Sequence, residues 1–189
     1  MTARTVRTVL GLTLVYFLAY GPLEPALPLY SRDVLGAGAG GYGLLWSAFG
    51  AGALVGLATV PVVGRLRPGR ALAANPLAWG AVLLPLLVVT GVVPAMLTLA
   101  LGGLVWAPYT TLEASLLQRV VPASGLGRVF GVRRALTAAA VPLGAAAGGL
   151  LLQRATPTAV IGLSAVTCLL AGGAALCVPA LHRLPARRA

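Results

Sequence analysis

The chain has 189 residues, of which 59% are hydrophobic and only 9% charged, with a net charge of +11. A soluble domain carries about 25% charged residues, because a water-facing surface must be covered with polar groups. Fourteen arginines, three acids and one histidine cannot coat a globule of this size, which excludes a soluble enzyme, a soluble DNA-binding domain and a disordered tail and leaves a protein whose lateral surface faces lipid.

A helical span needs about 20 mostly apolar residues to cross roughly 30 Å of hydrocarbon. Six segments qualify, near residues 9–30, 42–64, 71–89, 93–117, 129–153 and 157–181. Backbone groups in lipid must pair internally, and these runs are too long and too uniformly apolar for barrel strands. The expected fold is all-α: one polytopic domain of six transmembrane helices over 1–189, with short tails at both ends.

The first span opens after Arg4 and Arg7, like a signal peptide, but lacks a small-x-small cleavage site and reads as a retained helix. Its outer half carries Tyr20, Gly21, Pro22, Glu24, Pro25 and Pro28. An acid in hydrocarbon costs about 2.5–3.5 kcal/mol and is a functional candidate by default. With the span centred near Leu18, Glu24 lies about 9 Å beyond the midplane. Pro22 and Pro25 each remove a donor and clash one turn back, so the helix should bend or unwind there. A broken helix beside an acid is how transporters build polar sites at membrane depth. Glu24 therefore reads either as a proton-carrying transport residue or as a structural acid reaching the outer interface. Tyr16 and Tyr20 share its helix, and either faces the same cavity or packs.

The second span holds Ala48, Gly52 and Gly56, the fifth Ala140, Gly144 and Gly148, and the sixth Ser164, Cys168 and Gly172, all at four-residue spacing. Such stripes let helices approach where lipid offers no hydrophobic drive. The fourth span carries Trp106, Pro108, Tyr109, Thr110, Thr111 and Glu113. Tyr109 is a transport candidate, and Glu113 is expected to form an interfacial ion pair with loop arginines in preference to a transport role. Cys168 and Cys177 lie about 13 Å apart on one helix, too far for a disulfide. No Cys/His cluster suggests a metal or other cofactor, and Ser47 and Ser164 have no nearby histidine base, so no enzyme is expected.

Every basic residue of the fourteen is arginine. They fall in small groups between apolar runs rather than on one polar face, which argues against a nucleic-acid partner. With the N-terminus inside, twelve fall on the cytoplasmic side and only Arg32 and Arg154 outside. That alternation is the positive-inside rule, and it places both termini in the cytoplasm of a plasma (inner) membrane. The abundance of Ala, Gly, Pro and Arg beside a single Ile161 and a single Asn75 suits a GC-rich, bacterial genome.

Three stretches resemble the C-terminal half of a major facilitator superfamily transporter. Tyr20 to Tyr30, with its Gly-Pro-Leu-Glu-Pro run, is similar to the end of the family's seventh helix. Gly64-Arg65-Leu66-Arg67-Pro68-Gly69-Arg70 is similar to a basic turn between the next two helices. Gln118 to Pro122 followed by Gly127-Arg128-Val129-Phe130-Gly131 looks like the link into the eleventh. Within the family's loop signature Arg67, Gly69 and Arg70 match, whereas Leu66 replaces the acid and Val62 the first glycine. Gly69 is also expected to reverse the chain in a conformation other residues avoid.

The resemblance implies one half of a two-half fold, with efflux or uptake of a small-molecule substrate by alternating access. The second wall would come from another copy or another chain, with protons as a candidate coupling ion. The alternative is a truncated or regulatory half without transport of its own. An inverted repeat between the first and last three spans is implied but not visible in the sequence.

Overall fold

The structure, a computed structural model, describes residues 2–63 and 68–178. Among them there is no strand, and six helices are long and apolar enough to cross a membrane. The first span is built from α1 (Thr2–Tyr20), α2 (Leu23–Leu29) and a wide π turn (Tyr30–Val34). α3 (Gly38–Val63) follows, then α4 (Pro68–Leu83) with a 3-10 turn at Leu84–Leu87. α5 (Val92–Val120), α6 (Ala123–Leu151) and α7 (Pro157–Leu176) complete the bundle. The sixth span ends at Leu176, and the last residues of the expected segment lie outside the described residues.

Proline chemistry sets the irregular places. Pro25 has no N–H for the Gly21 carbonyl, which instead accepts from Glu24 N at 3.1 Å, so the first helix breaks between α1 and α2. Beyond Pro28 the ladder widens, and Leu35 N donates to Tyr30 O five residues back at 3.1 Å. The buried Tyr30 hydroxyl donates to Val89 O at 2.8 Å, fastening this end to the loop before α5. The turn into α3 uses Gly36 and Gly38, whose φ values of 63° and 56° suit glycine.

Gly69 corrects an expectation. It lies in the first turn of α4 and not in a chain reversal. Pro68 begins that helix, where its fixed φ is already helical.

The closest helix packing joins α3 with α5 and α4 with α7, followed equally by α1 with α6 and α4 with α5. The first three of these pairs close on glycine. A methyl on Gly103 would lie 2.7 Å from Ala53 N, and one on Gly52 2.6 Å from the Ala100 carbonyl carbon. A methyl on Gly80 would lie 2.6 Å from Ala165 O, and one on Gly21 2.6 Å from Gly144 Cα. No larger side chain permits these approaches, which is how helices gain contact in lipid.

Numbering the spans one to six, these first three pairs are one with five, two with four, and three with six. Exchanging the first three spans with the last three carries one with five onto two with four, and three with six onto itself. Because each set has three spans, the exchange reverses direction across the membrane. This pairing has the pattern that an inverted repeat requires, although no repeat is visible in the sequence.

Candidate functional site

α1 and α5 meet at the centre, flanked by α3 on one side and α6 on the other, with α4 and α7 behind. Their spans differ in burial: 17% of α3 and 17% of α6, against 39–44% for the other four. Between these flanks lie two polar positions joined by stacked aromatic rings.

The first position is the break after Tyr20. Glu24, Pro22 and Pro25 are half-buried there, and Glu24 is the electrostatic neighbour of the Tyr20 hydroxyl one turn away. Pro22 is seated against α6, where a methyl on Gly148 would come 2.6 Å from its Cα and one on Gly144 3.2 Å from its Cδ. Two predicted groups, the broken-helix prolines and the fifth-span glycines, thus belong to one contact. Without the small residues of α6, the kinked segment would be pushed outward.

Aromatic rings lead from there into the bundle. Tyr20 lies 4.7 Å from Trp106, which lies 4.9 Å from Tyr16, and Tyr16 lies 4.7 Å from Tyr109. Trp79 closes the back of the cluster 5.2 Å from Trp106. Tyr16 and Tyr109 are buried, whereas Tyr20 and Trp106 keep part of their surface open.

The second position is a buried network. Thr13 Oγ1 donates to Glu113 Oε1 at 2.7 Å. Its single proton is thereby used, so the 3.0 Å contact with Tyr109 has the tyrosine hydroxyl donating to Thr13. Arg133 holds the other carboxylate oxygen, with Nε at 2.8 Å and Nη2 at 2.7 Å from Oε2. Alongside, Tyr16 donates to Asn75 Oδ1 at 3.0 Å, and Asn75 Nδ2 donates to Val105 O at 2.6 Å.

Glu113 forms the expected ion pair with an arginine, Arg133, but the pair is not interfacial: the Glu113 side chain is 0% exposed, and Arg133 lies inside α6 rather than in a loop. The link between α5 and α6 is only Val121 and Pro122, so residues expected in a loop are helical. Arg128 is likewise an exposed helical residue of α6. Of the loop motif, Arg67 lies outside the described residues, Gly69 is buried in the first turn of α4, and Arg70 is exposed beside it.

Sequence reasoning missed Thr13, Asn75 and Arg133 as members of this network. Each carried a signal. Asn75 is the only asparagine, Arg133 falls within the fifth apolar run, and Thr13 is a hydroxyl inside the first. Polar residues in a span pair with one another by preference.

The family described as transmembrane secretion effector matches residues 1–188, essentially the whole chain. The chain belongs to this major facilitator family. No curated protein matches it. As a secretion-effector family member with six spanning helices, it is a multi-pass membrane protein of a transporter family.

Proposed function

We propose that the chain forms one six-helix wall of an exporter that moves a small molecule by alternating access against a second six-helix unit. The observation that carries this reading is Glu24: a half-exposed carboxylate beside Tyr20, at a proline break within a span, on a segment that packs against α6 and α7 and touches α3. An acid placed there for structure alone would be fully paired, as Glu113 is. Glu24 has one neighbouring hydroxyl and remains free to exchange a proton or meet cargo. Tyr20 and Trp106 give the same face flat apolar surface with polar edges, suited to an amphipathic substrate.

The low burial of α3 and α6 favours a second unit resting on both flanks. It comes from another copy or another chain, and protons drive the cycle through Glu24. The chain is not an enzyme, since it binds and releases its cargo unchanged. The family description supports export as the direction. The arginine distribution favours a plasma membrane with the Arg128 end of the bundle in the cytoplasm. An impermeant thiol reagent should then reach Gly127→Cys only in inside-out vesicles, and labelling in intact cells would reverse the orientation.

The test is efflux of cationic and neutral amphipathic dyes from cells or proteoliposomes under a proton gradient, for wild type and Glu24→Gln. The expected result is gradient-dependent flux that falls at least about tenfold in the variant, a loss of about 1.4 kcal/mol of coupling. Equal fluxes would remove Glu24 from the mechanism. No flux from wild type with its partner present would remove the transport reading.

A further inference from the structure

We propose that Glu113 and Arg133 form a releasable latch. It holds the Ala123 half of α6 against α1 and α5, and that half swings about Pro142 when the pair parts.

The two halves of α6 are anchored differently. All the buried residues of this helix, Ala140, Gly144 and Gly148, lie in its second half. Gly144 and Gly148 are locked against Leu18, Gly21 and Pro22. From Ala123 to Ala139 no residue of α6 is buried, and Val129 and Phe130 touch the core only in part. α6 otherwise makes little contact with α5. Arg133 is thus the strong tether of this half, its guanidinium closing on Glu113 Oε2 through both Nε and Nη2.

The anchor on the other side is rigid. Glu113 is fully buried in α5 and is held by Thr13 of α1, which Tyr109 orients in turn. The lock begins at buried Ala140, and Pro142 stands just inside it, so the helical bond that proline removes falls at the boundary with the tethered half. Pro142 cannot donate to the Ala138 carbonyl, which is the usual cause of a helix kink. A helix locked at one end, interrupted in the middle and held at the other end by one ion pair has a defined way to move.

Parting the pair would give a second, open state. Buried, each charge is compensated by the other, and removing one partner leaves an uncompensated charge that must find water. Arg133 is the member with a way out, since 19% of its side chain is exposed whereas Glu113 has none. Outward rotation of the Ala123 half takes the guanidinium to solvent and opens that end of the face carrying Glu24. Glu113 and Arg133 are positioning residues here and need not touch cargo. Their purpose rests on the transport reading, while the geometry of the latch does not.

The experiment measures the distance between spin labels at Gly11→Cys on α1 and Gly127→Cys on α6, in lipid nanodiscs. At both positions an added side chain meets open space. The background carries Cys168→Ala and Cys177→Ser. In the parent one short distance dominates. Arg133→Gln should add a longer distance of several ångströms, with its population raised about tenfold or more. Arg133→Lys, which keeps the charge, and Arg134→Gln, the exposed neighbour, should keep the parent distribution. If Arg133→Gln fails to fold, the double variant Glu113→Gln/Arg133→Gln leaves no unpaired charge and should show the same longer distance. An unchanged distribution in the charge-removing variant that folds, or an equal shift in Arg134→Gln, overturns the latch. Absence of dye flux in wild type would count against the transport reading alone and leave the distance result standing.

Discussion

The three acids of this chain stand in three different situations, and environment decides what each can do. Asp33 is paired with its neighbour Arg32 at 2.6 Å in an exposed position, where screening leaves such a pair little energetic weight. Glu113 is enclosed with both oxygens satisfied. Glu24 lies between these extremes, half-buried beside a tyrosine. Its candidacy was legible from the sequence, because an acid among prolines inside an apolar run has few structural reasons to be there. The partner of Glu113 was not legible. Apolar spans with little amphipathic contrast do not say which face meets which helix, so Arg133 and Thr13 had no visible route to the same carboxylate. Asn75 permits a direct check at this scale. Asn75→Ala removes the acceptor of Tyr16 and the donor to Val105 O. The stranded Tyr16 hydroxyl is buried, so stability should fall by about 1–2 kcal/mol, toward the low end where lipid lets unfolded helices find other partners. Thermal unfolding in detergent measures it, and a Tyr16→Phe/Asn75→Ala double variant should recover part of the loss.

At the scale of elements, the six spans were legible because each is a long apolar run bounded by arginine, glycine or proline. Their ends were less so. α5 and α6 run past the expected limits because amphipathic turns at the interface continue a helix without looking like membrane. The break in the first span was legible from Pro22 and Pro25. The π turn beyond it was not, since it depends on which carbonyl Leu35 N reaches. Glycine stripes on the second, fifth and sixth spans pointed to contacts, but the complementary Gly21, Gly80 and Gly103 follow no such repeat and emerge only from the packing. The α3–α5 contact supplies a paired prediction. Gly103→Ala sets a methyl against Phe49 O and Ala53 N, forcing the helices apart at a cost of about 1–3 kcal/mol. Gly43→Ala, in open space on α3, should be neutral or slightly stabilising. Comparing the two melting temperatures checks it, and equal melting would mean that α3 and α5 are not closely packed in lipid.

At the scale of the whole molecule, the pairing of spans one with five, two with four and three with six leaves α3 and α6 as exposed flanks of a face centred on α1 and α5. Large apolar side chains stand exposed on both flanks, among them Leu54 and Leu57 on α3 and Leu143 and Leu150 on α6. Lipid alone would tolerate them. It would be a poor neighbour for a carboxylate at Glu24, and the proposed second six-helix unit would resolve that conflict by enclosing the face. The family resemblance made the six-helix half readable in advance, whereas whether and with what it pairs would be a property of surfaces that meet only in the membrane. The most direct measurement is to count chains in proteoliposomes that show gradient-driven efflux, by stepwise photobleaching of labelled protein at low occupancy. Active vesicles are predicted to contain at least two six-helix units, either two copies of this chain or one copy with a co-purified partner. Efflux from vesicles that hold a single copy and no other protein would contradict the account.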